Sequence, residues 1–390
     1  MSAPRVFLWV QHLLGIGHLR RAATLAGALS AKGLQVTLAS GGQAVPDLAR
    51  QIAARGVRLV QLPAARAAEL SFKNLLDEDG RAVGEDWRAR RRAALLEAWR
   101  AADPDVLLLE LFPFGRRQMR FELLPLLELA AAAPRRAAVV CSVRDILGGQ
   151  KSAGRDAETL GLVRRYFDGI LVHGDPAVVA FERTFPPAQS IADKLHYTGY
   201  VVEEPAGQAC RDGENEVIVS AGGGAVGERL LATAIEAKPL TALRDRTWRV
   251  LAGGNLPQSA YQRLAGLARR TGGVELEKSR PDFRTLLANC ALSISQAGYN
   301  TLLETVQAGA RAVAVPFAGG AETEQALRAR CFAERGLLEV LEESALSPQA
   351  LAAAADRAAI RPLPARDRID LAGARNSATL LARWAGERRA

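Results

Sequence analysis

Near neutral pH the proton-transfer side chain of choice is histidine, and this chain has four: His12, His18, His173 and His196. Two of them fall in one short segment, Gln11-His12-Leu13-Leu14-Gly15-Ile16-Gly17-His18, between the apolar strand Arg5–Val10 and a helical stretch, Leu19–Ala31. A turn leading from the first strand into a helix lies at the ligand-facing end of a parallel sheet. His18, at the helix start, is therefore the candidate general base. Gly15 and Gly17 fit a backbone that comes close to an acceptor, and His12, nearer the strand, is the rival base. A second constellation spans Cys290–Arg330. It reads as strand Ala291–Ile294, turn Ser295–Gly298, helix Tyr299–Ala308, strand Ala312–Val315 and a loop opening a helix near Glu322. Gln296, Gly298, Asn300 and Thr301 stand where the free N–H groups of a helix start hold an anion, with Glu304 one turn further in. Pro316-Phe317 and the polar run Glu322-Thr323-Glu324-Gln325 follow, offering donors and acceptors to hydroxyl groups. An anion cradle beside a hydroxyl-reading cluster points to a nucleotide sugar.

The order of these residues resembles a known family. Ser295-x-x-Gly298-x-x-Thr301-x-x-Glu304, then Val315-Pro316, then Glu324-Gln325 before a helix is similar to the donor site of GT-B-type glycosyltransferases of family 28, the group of the peptidoglycan UDP-N-acetylglucosamine transferase. The resemblance implies that Glu304 accepts hydrogen bonds from the ribose hydroxyls and that Gln325 and Glu324 contact the sugar. It also implies that the segment Ser279–Phe283, with Arg280 and Phe283, touches the base. The glycine turn Ala221–Gly227, including Gly223 and Gly224, lies between a strand and a helix and is expected to approach the diphosphate or the acceptor. His18 matches the family's acceptor-side base, although the family's denser glycine run is replaced here by Gln11-His12-Leu13-Leu14. Implied further are a UDP-sugar donor, no cofactor, an inverting in-line displacement, and an acceptor that is lipid-linked or a small molecule.

The elements that must position these groups alternate. Strands are expected at Gln35–Ala39, Val57–Val60, Asp105–Glu110, Ala137–Val143, Gly169–His173 and Tyr197–Val201, and helices at Pro46–Ala54 and Arg116–Ala132. That is a doubly wound α/β domain. After a polar linker, Glu203–Asn215, the pattern restarts with strands Glu216–Ser220, Trp248–Leu251 and Val274–Glu277, helix Gln258–Arg270 and a short helix from Pro281. The fold class expected is thus α/β of the GT-B kind, with two Rossmann-like domains facing across a cleft. Residues 1–202 form the acceptor domain and 203–370 the donor domain, while 371–390 form a final helix, Asp370–Arg389, packing back on the first domain. A length of 390 residues suits two domains of ordinary size.

Between the third and fourth strands lies a charged insertion, Glu69–Arg100. In it Trp87 to Trp99 forms a helix with Trp and Leu on one side and Arg88–Arg92 on the other. Three readings stand for that helix: a solvated flank, a basic surface for an anionic membrane or lipid phosphate, and a partner-binding face.

Other function classes are disfavoured. Net charge is +9, of which residues 1–200 carry +7 (27 basic, 20 acidic), yet Arg outnumbers Lys 45 to 6 alongside abundant Ala, and no nucleic-acid fold motif appears. The cysteines, Cys141, Cys210, Cys290 and Cys331, are single and read as reduced and buried. Asp103-Pro104-Asp105 and Asp77-Glu78-Asp79-Gly80 imitate metal motifs, but the first precedes its strand and the second has its glycine too early for a calcium loop. No essential metal is expected. With no signal peptide and no apolar run of about 20 residues, the expected location is cytoplasmic, with the inner face of the membrane as a peripheral alternative. Rival functions on the same fold are a nucleotide-sugar hydrolase, a UDP-sugar 2-epimerase and a noncatalytic nucleotide-sugar-binding subunit. Should neither His18 nor His12 act, Asp145 and Asp175 are the next groups to consider.

Overall fold

A computed structural model describes residues 3–13, 15–68, 74–148, 152–204, 211–223, 227–319 and 323–389. The chain divides into two units. The first comprises residues 1–147, 151–201 and 372–390, the second chiefly residues 202–371.

In the first unit the strands are β1 (Arg5–Val10), β2 (Gln35–Ser40), β3 (Arg58–Gln61), the two-residue hairpin pair β4 (Arg66–Ala67) and β5 (Leu75–Leu76), β6 (Val106–Glu110), β7 (Ala138–Arg144), β8 (Gly169–His173) and β9 (Leu195–Tyr197). Seven of these form one parallel sheet in the order β3-β2-β1-β6-β7-β8-β9. The helices are α1 (Gly17–Ala31), α2 (Pro46–Ala54), α3 (Glu85–Ala102), α4 (Arg120–Ala132), α5 (Ala153–Tyr166) and, returning from the far end of the chain, α12 (Gly373–Glu387). The central strands are buried on both faces, as β1 and β6 show by their near-continuous apolar runs. Strand order reverses between β1 and β6, so the crevice outside their carboxyl ends is where a ligand belongs.

The return of α12 is locked by close backbone packing. Gly373 N donates to Tyr200 O at 3.0 Å and Asn376 Nδ2 to Thr198 O at 2.9 Å. A Cβ on Gly373 would stand 2.4 Å from Gly199 O, so no larger residue fits there.

In the second unit β10 (Val217–Ser220), β11 (Trp248–Leu251), β12 (Val274–Glu277), β13 (Leu292–Gln296), β14 (Ala312–Val315) and β15 (Glu339–Val340) form a parallel sheet ordered β12-β11-β10-β13-β14-β15. Its helices are α6 (Glu228–Ala237), α7 (Gln258–Thr271), α8 (Phe283–Asn289), α9 (Tyr299–Ala308), α10 (Glu324–Glu334) and α11 (Pro348–Ile360). Here the order reverses between β10 and β13.

Three sequence expectations need correction. The segment Tyr197–Val201 is not the last strand of the first unit. The edge strand is β9, and Val201 makes only a single bridge to Ala372. The helix expected from Arg116 starts at Arg120, after a 3₁₀ turn at Arg117–Met119, because Arg116 is left-handed at φ 60°. The third concerns α3. Arg91 does not belong to a solvent-facing basic stripe: with Trp87, Leu95 and Trp99 it faces inward, and it is fully buried. Its five N–H donors all have acceptors: both Glu122 carboxylate oxygens (2.7 and 2.9 Å), Gly41 O (2.8 Å), Pro63 O (2.7 Å) and Gln11 Oε1 (2.6 Å). A buried guanidinium is tolerated when paired and fully hydrogen-bonded. Of the run Arg88–Arg92 that leaves Arg90 exposed and Arg88 and Arg92 half-buried. One helix, α5, has no counterpart among the expected elements. Ser152 caps it, Oγ accepting from Arg155 N at 3.4 Å.

Candidate functional site

In the first unit α1 begins directly after the turn that follows β1, which puts His18 in its first turn beside the carboxyl end of β6. The last residue of β6 is Glu110, whose carboxylate is buried. His18 Nδ1 stands 2.6 Å from Glu110 Oε1, and Arg21, one helical turn beyond His18, donates to the same oxygen. Arg144, at the end of β7, brings Nη2 to 3.4 Å from His18 Nε2. His18 is about one-fifth exposed at its side chain.

The electrostatics follow from this crowding. Burial, the largest influence, lowers the His18 pKa; the Glu110 carboxylate opposes it, and Arg144 and Arg116 reinforce it. Glu110 stays ionised: burial acts against its charge, but His18, Arg21 and Arg116 together hold its pKa below the carboxylate range. At neutral pH the imidazole is therefore neutral. With Nδ1–H given to Glu110, the lone pair is on Nε2, where a proton can be accepted. The turn between β1 and α1 is held from below. Gln11 Nε2 donates to His12 O (2.7 Å) and Ala65 O (3.0 Å), and Gln11 Oε1 takes the Arg91 hydrogen bond.

His12 is placed differently. It is buried and packs on the Gly42 backbone, where a Cβ would lie 2.3 Å from its ring, and burial lowers its pKa. Gly15 lies beside open space: a Cβ there would meet nothing within 4 Å. Gly17 is the first residue of α1. Asp145 is fully buried and accepts from Ile146 N, while Asp175 accepts from Ala177 N.

Glu110 was not singled out in the sequence. Its signal is a lone carboxylate closing an apolar strand, Val-Leu-Leu-Leu-Glu, at the end of the sheet where ligands bind. The loop after it also carries two non-glycine residues at positive φ, Leu111 at 66° and Arg116 at 60°. Such backbone concentrates at functional sites.

In the second unit the groups gather at the carboxyl ends of β10 and β13. An open groove of about 550 Å³ is lined by Gly227, Glu228 and Arg229 at the start of α6, and by Gln296, Phe317 and Glu343 among others. Gly298 caps α9 without a side-chain hydrogen bond, leaving the first-turn N–H groups near Asn300 and Thr301 without an intrahelical acceptor. Glu304 is half-buried one turn in. Arg328, fully buried, donates to Glu324 Oε1 at 2.9 Å and stacks over the Tyr299 ring at 4.8 Å, so the starts of α9 and α10 are tied together. Gln325 Oε1 accepts from Phe317 N at 3.2 Å, which shapes the loop after β14. Arg280 is clasped in a bidentate pair by Asp282 (2.8 and 2.7 Å) and reaches Asp212 at 3.2 Å. Phe283 packs against the small apolar cluster of Ile218, Leu251 and Leu286. Asn255 Nδ2 donates to Gly223 O at 2.6 Å. Gly224 and Glu322 lie outside the described residues.

Among the described residues no three of His, Cys, Asp and Glu converge as metal ligands, and no helix is long and apolar enough to cross a membrane.

Comparison with known proteins agrees with the likeness read from the motifs. Residues 218–371 match the family model of the glycosyltransferase family 28 C-terminal domain. Over 207 residues the chain is 29% identical to a UDP-N-acetylglucosamine--N-acetylmuramyl-(pentapeptide) pyrophosphoryl-undecaprenol N-acetylglucosamine transferase of Methylibium petroleiphilum. That match covers 47% of this chain, which spans 55% of the relative's length. Solved structures with the same fold include MurG of Acinetobacter baumannii, at TM-score 0.60 and 14% identity over 97% of this chain and 100% of that one. Another is the spinosyn rhamnosyltransferase SpnG in complex with thymidine diphosphate, at TM-score 0.58 and 17% identity over 98% and 96%. Both units are therefore Rossmann-like in the GT-B manner, and residues 218–371 of the second are similar to the family 28 C-terminal domain.

Proposed function

We propose that the chain is an inverting, metal-independent glycosyltransferase that moves a sugar from a UDP-sugar to a hydroxyl acceptor. The observation that carries the reading is a neutral imidazole, His18, oriented by the buried Glu110 carboxylate at the strand-order reversal of the first unit. The second unit supplies the donor groove, at its own strand-order reversal. The acceptor O–H proton passes to His18 Nε2 as the oxygen attacks the anomeric carbon. One C–O bond forms, the C–O bond to the diphosphate breaks, and its electron pair leaves on the β-phosphate. The charge on that leaving group is met by the N–H groups at the starts of α6 and α9 and by the exposed Arg229. Glu304, by its place one turn inside α9, accepts from the ribose hydroxyls.

The test is a thermal-shift panel of nucleotide sugars with UDP- and thymidine-diphosphate-linked members, with and without excess chelator. A true donor at 100 times its Kd stabilises the protein by about 2.7 kcal/mol. Donor consumption with and without hydroxyl acceptors then separates transfer from hydrolysis. No stabilisation by any nucleotide sugar overturns the reading, and activity abolished by chelator and restored by magnesium or manganese overturns metal independence.

A further inference from the structure

Arg116 is a buried charge whose guanidinium is incompletely hydrogen-bonded. Its side chain is only 9% exposed, yet its nearest acidic atom, Glu110 Oε2, lies 3.9 Å away, beyond hydrogen-bond reach. Buried Arg116 Nε and Glu110 Oε2 each have no hydrogen-bond partner. A buried guanidinium keeps its charge and loses its water, so a buried donor such as this Nε without an acceptor is costly, and Arg91 shows what this protein does when an arginine is structural. The backbone is also held out of its preferred region, at φ 60°. Glu110 already serves His18 and Arg21 through Oε1, and Arg144 stands on the other side of His18. The charged groups around this point are thus one carboxylate and three guanidinium groups, Arg21, Arg116 and Arg144, beside a neutral imidazole. Beside Gly15 there is open space by the same turn.

We infer that Arg116 is an oxyanion-binding residue, taking a carboxylate or phosphate group of the acceptor beside the hydroxyl that His18 deprotonates. The inference rests on the proposed role of His18 and adds to it the class of acceptor: an anionic one. A planar fork of donors matches a carboxylate or phosphate, whereas a neutral hydroxyl leaves most of the fork empty. An acceptor so held is fixed both by its anion and by its nucleophile, which lowers the entropic part of the barrier.

The experiment uses the full chain saturated with UDP, so that anion sites in the donor groove are filled, and titrates inorganic phosphate and, separately, malonate by calorimetry. The expected result is binding of one of the two, weakened at least tenfold in Arg116→Gln and partly kept in Arg116→Lys. The tighter arm tells phosphate from carboxylate. Arg116→Met should melt close to the parent, because the side chain removed makes no hydrogen bond through its buried Nε and pairs with Glu110 only at 3.9 Å; an arginine held as Arg91 is would melt markedly lower. His18→Ala should bind the oxyanion like the parent, which separates this inference from the assignment of the base. The inference is overturned if neither oxyanion binds, if Arg116→Gln binds as the parent does, or if Arg116→Met melts markedly lower.

Discussion

The two units solve the same topological problem with different materials. At the strand-order reversal of the first, charged side chains are buried and locked: His18 on Glu110, Arg21 on the same carboxylate, Arg91 on Glu122 beneath the turn. At that of the second, helix starts and half-exposed side chains border an open groove. Burial strengthens electrostatics and perturbs proton affinities, which suits the group that moves a proton. Backbone N–H groups and a solvent-open groove suit a polyanion that must bind and leave. All four histidines belong to the first unit and none to the second.

Acid should break the units apart energetically. Burial lowers the pKa of His12, His18 and His173 in the folded state, and His173 is enclosed between Ser142 Oγ (2.7 Å) and Thr198 Oγ1 (2.9 Å). Below the unfolded value of about 6.5 the unfolded chain binds protons that the folded one does not. Stability therefore falls as pH drops through that value, by up to about 1.4 kcal/mol per pH unit for each histidine held neutral. Calorimetry from pH 7.5 to 5 should show the first unit's transition moving down ahead of the second's; equal shifts would erase the contrast.

Arg91→Ala leaves Glu122 buried without its partner and should cost about 3–5 kcal/mol. Chemical denaturation would read this as an early transition of the first unit, with nucleotide binding to the second unchanged. A variant as stable as the parent would mean that the buried network is dispensable.

Glu110→Gln sharpens the comparison at the base itself. The amide no longer fixes the imidazole tautomer or offsets its neighbouring guanidinium groups, and turnover should fall by about 10²–10³-fold. Nucleotide-sugar affinity should hold. A change confined to affinity would move Glu110 out of the catalytic account. In the second unit, on the proposed role of Glu304, Glu304→Ala should lose charge-assisted hydrogen bonds worth about 1.5–3 kcal/mol, or about ten- to a hundredfold in UDP affinity. Unchanged affinity by titration would remove Glu304 from the site.

Sequence periodicity carried most of the fold because parallel strands buried on both faces leave unmistakable apolar runs. The expected bounds of Trp248–Leu251, Tyr299–Ala308 and Ala312–Val315 are those observed. His18 was legible through its Gly-His position before a helix. Glu110 was not, because its partner lies 92 residues away and its strand looks like core. Arg91 misled for a related reason: arginine on a helix normally means solvent, and only the convergence of Gln11, Gly41, Pro63 and Glu122 makes its burial tolerable. Local pattern specifies elements; long-range polar pairs are set by the fold that pattern creates.

The central claim is that a histidine of the first unit does the chemistry and the second unit holds the donor. Single-turnover transfer and UDP-sugar titration on His18→Ala test both halves in one protein, with His12→Ala as control. The account predicts a loss of about 10²–10⁴-fold in turnover with donor affinity unmoved, and near-parental turnover for a folded His12→Ala. Near-parental turnover in His18→Ala, or a loss seen only in His12→Ala, would contradict it.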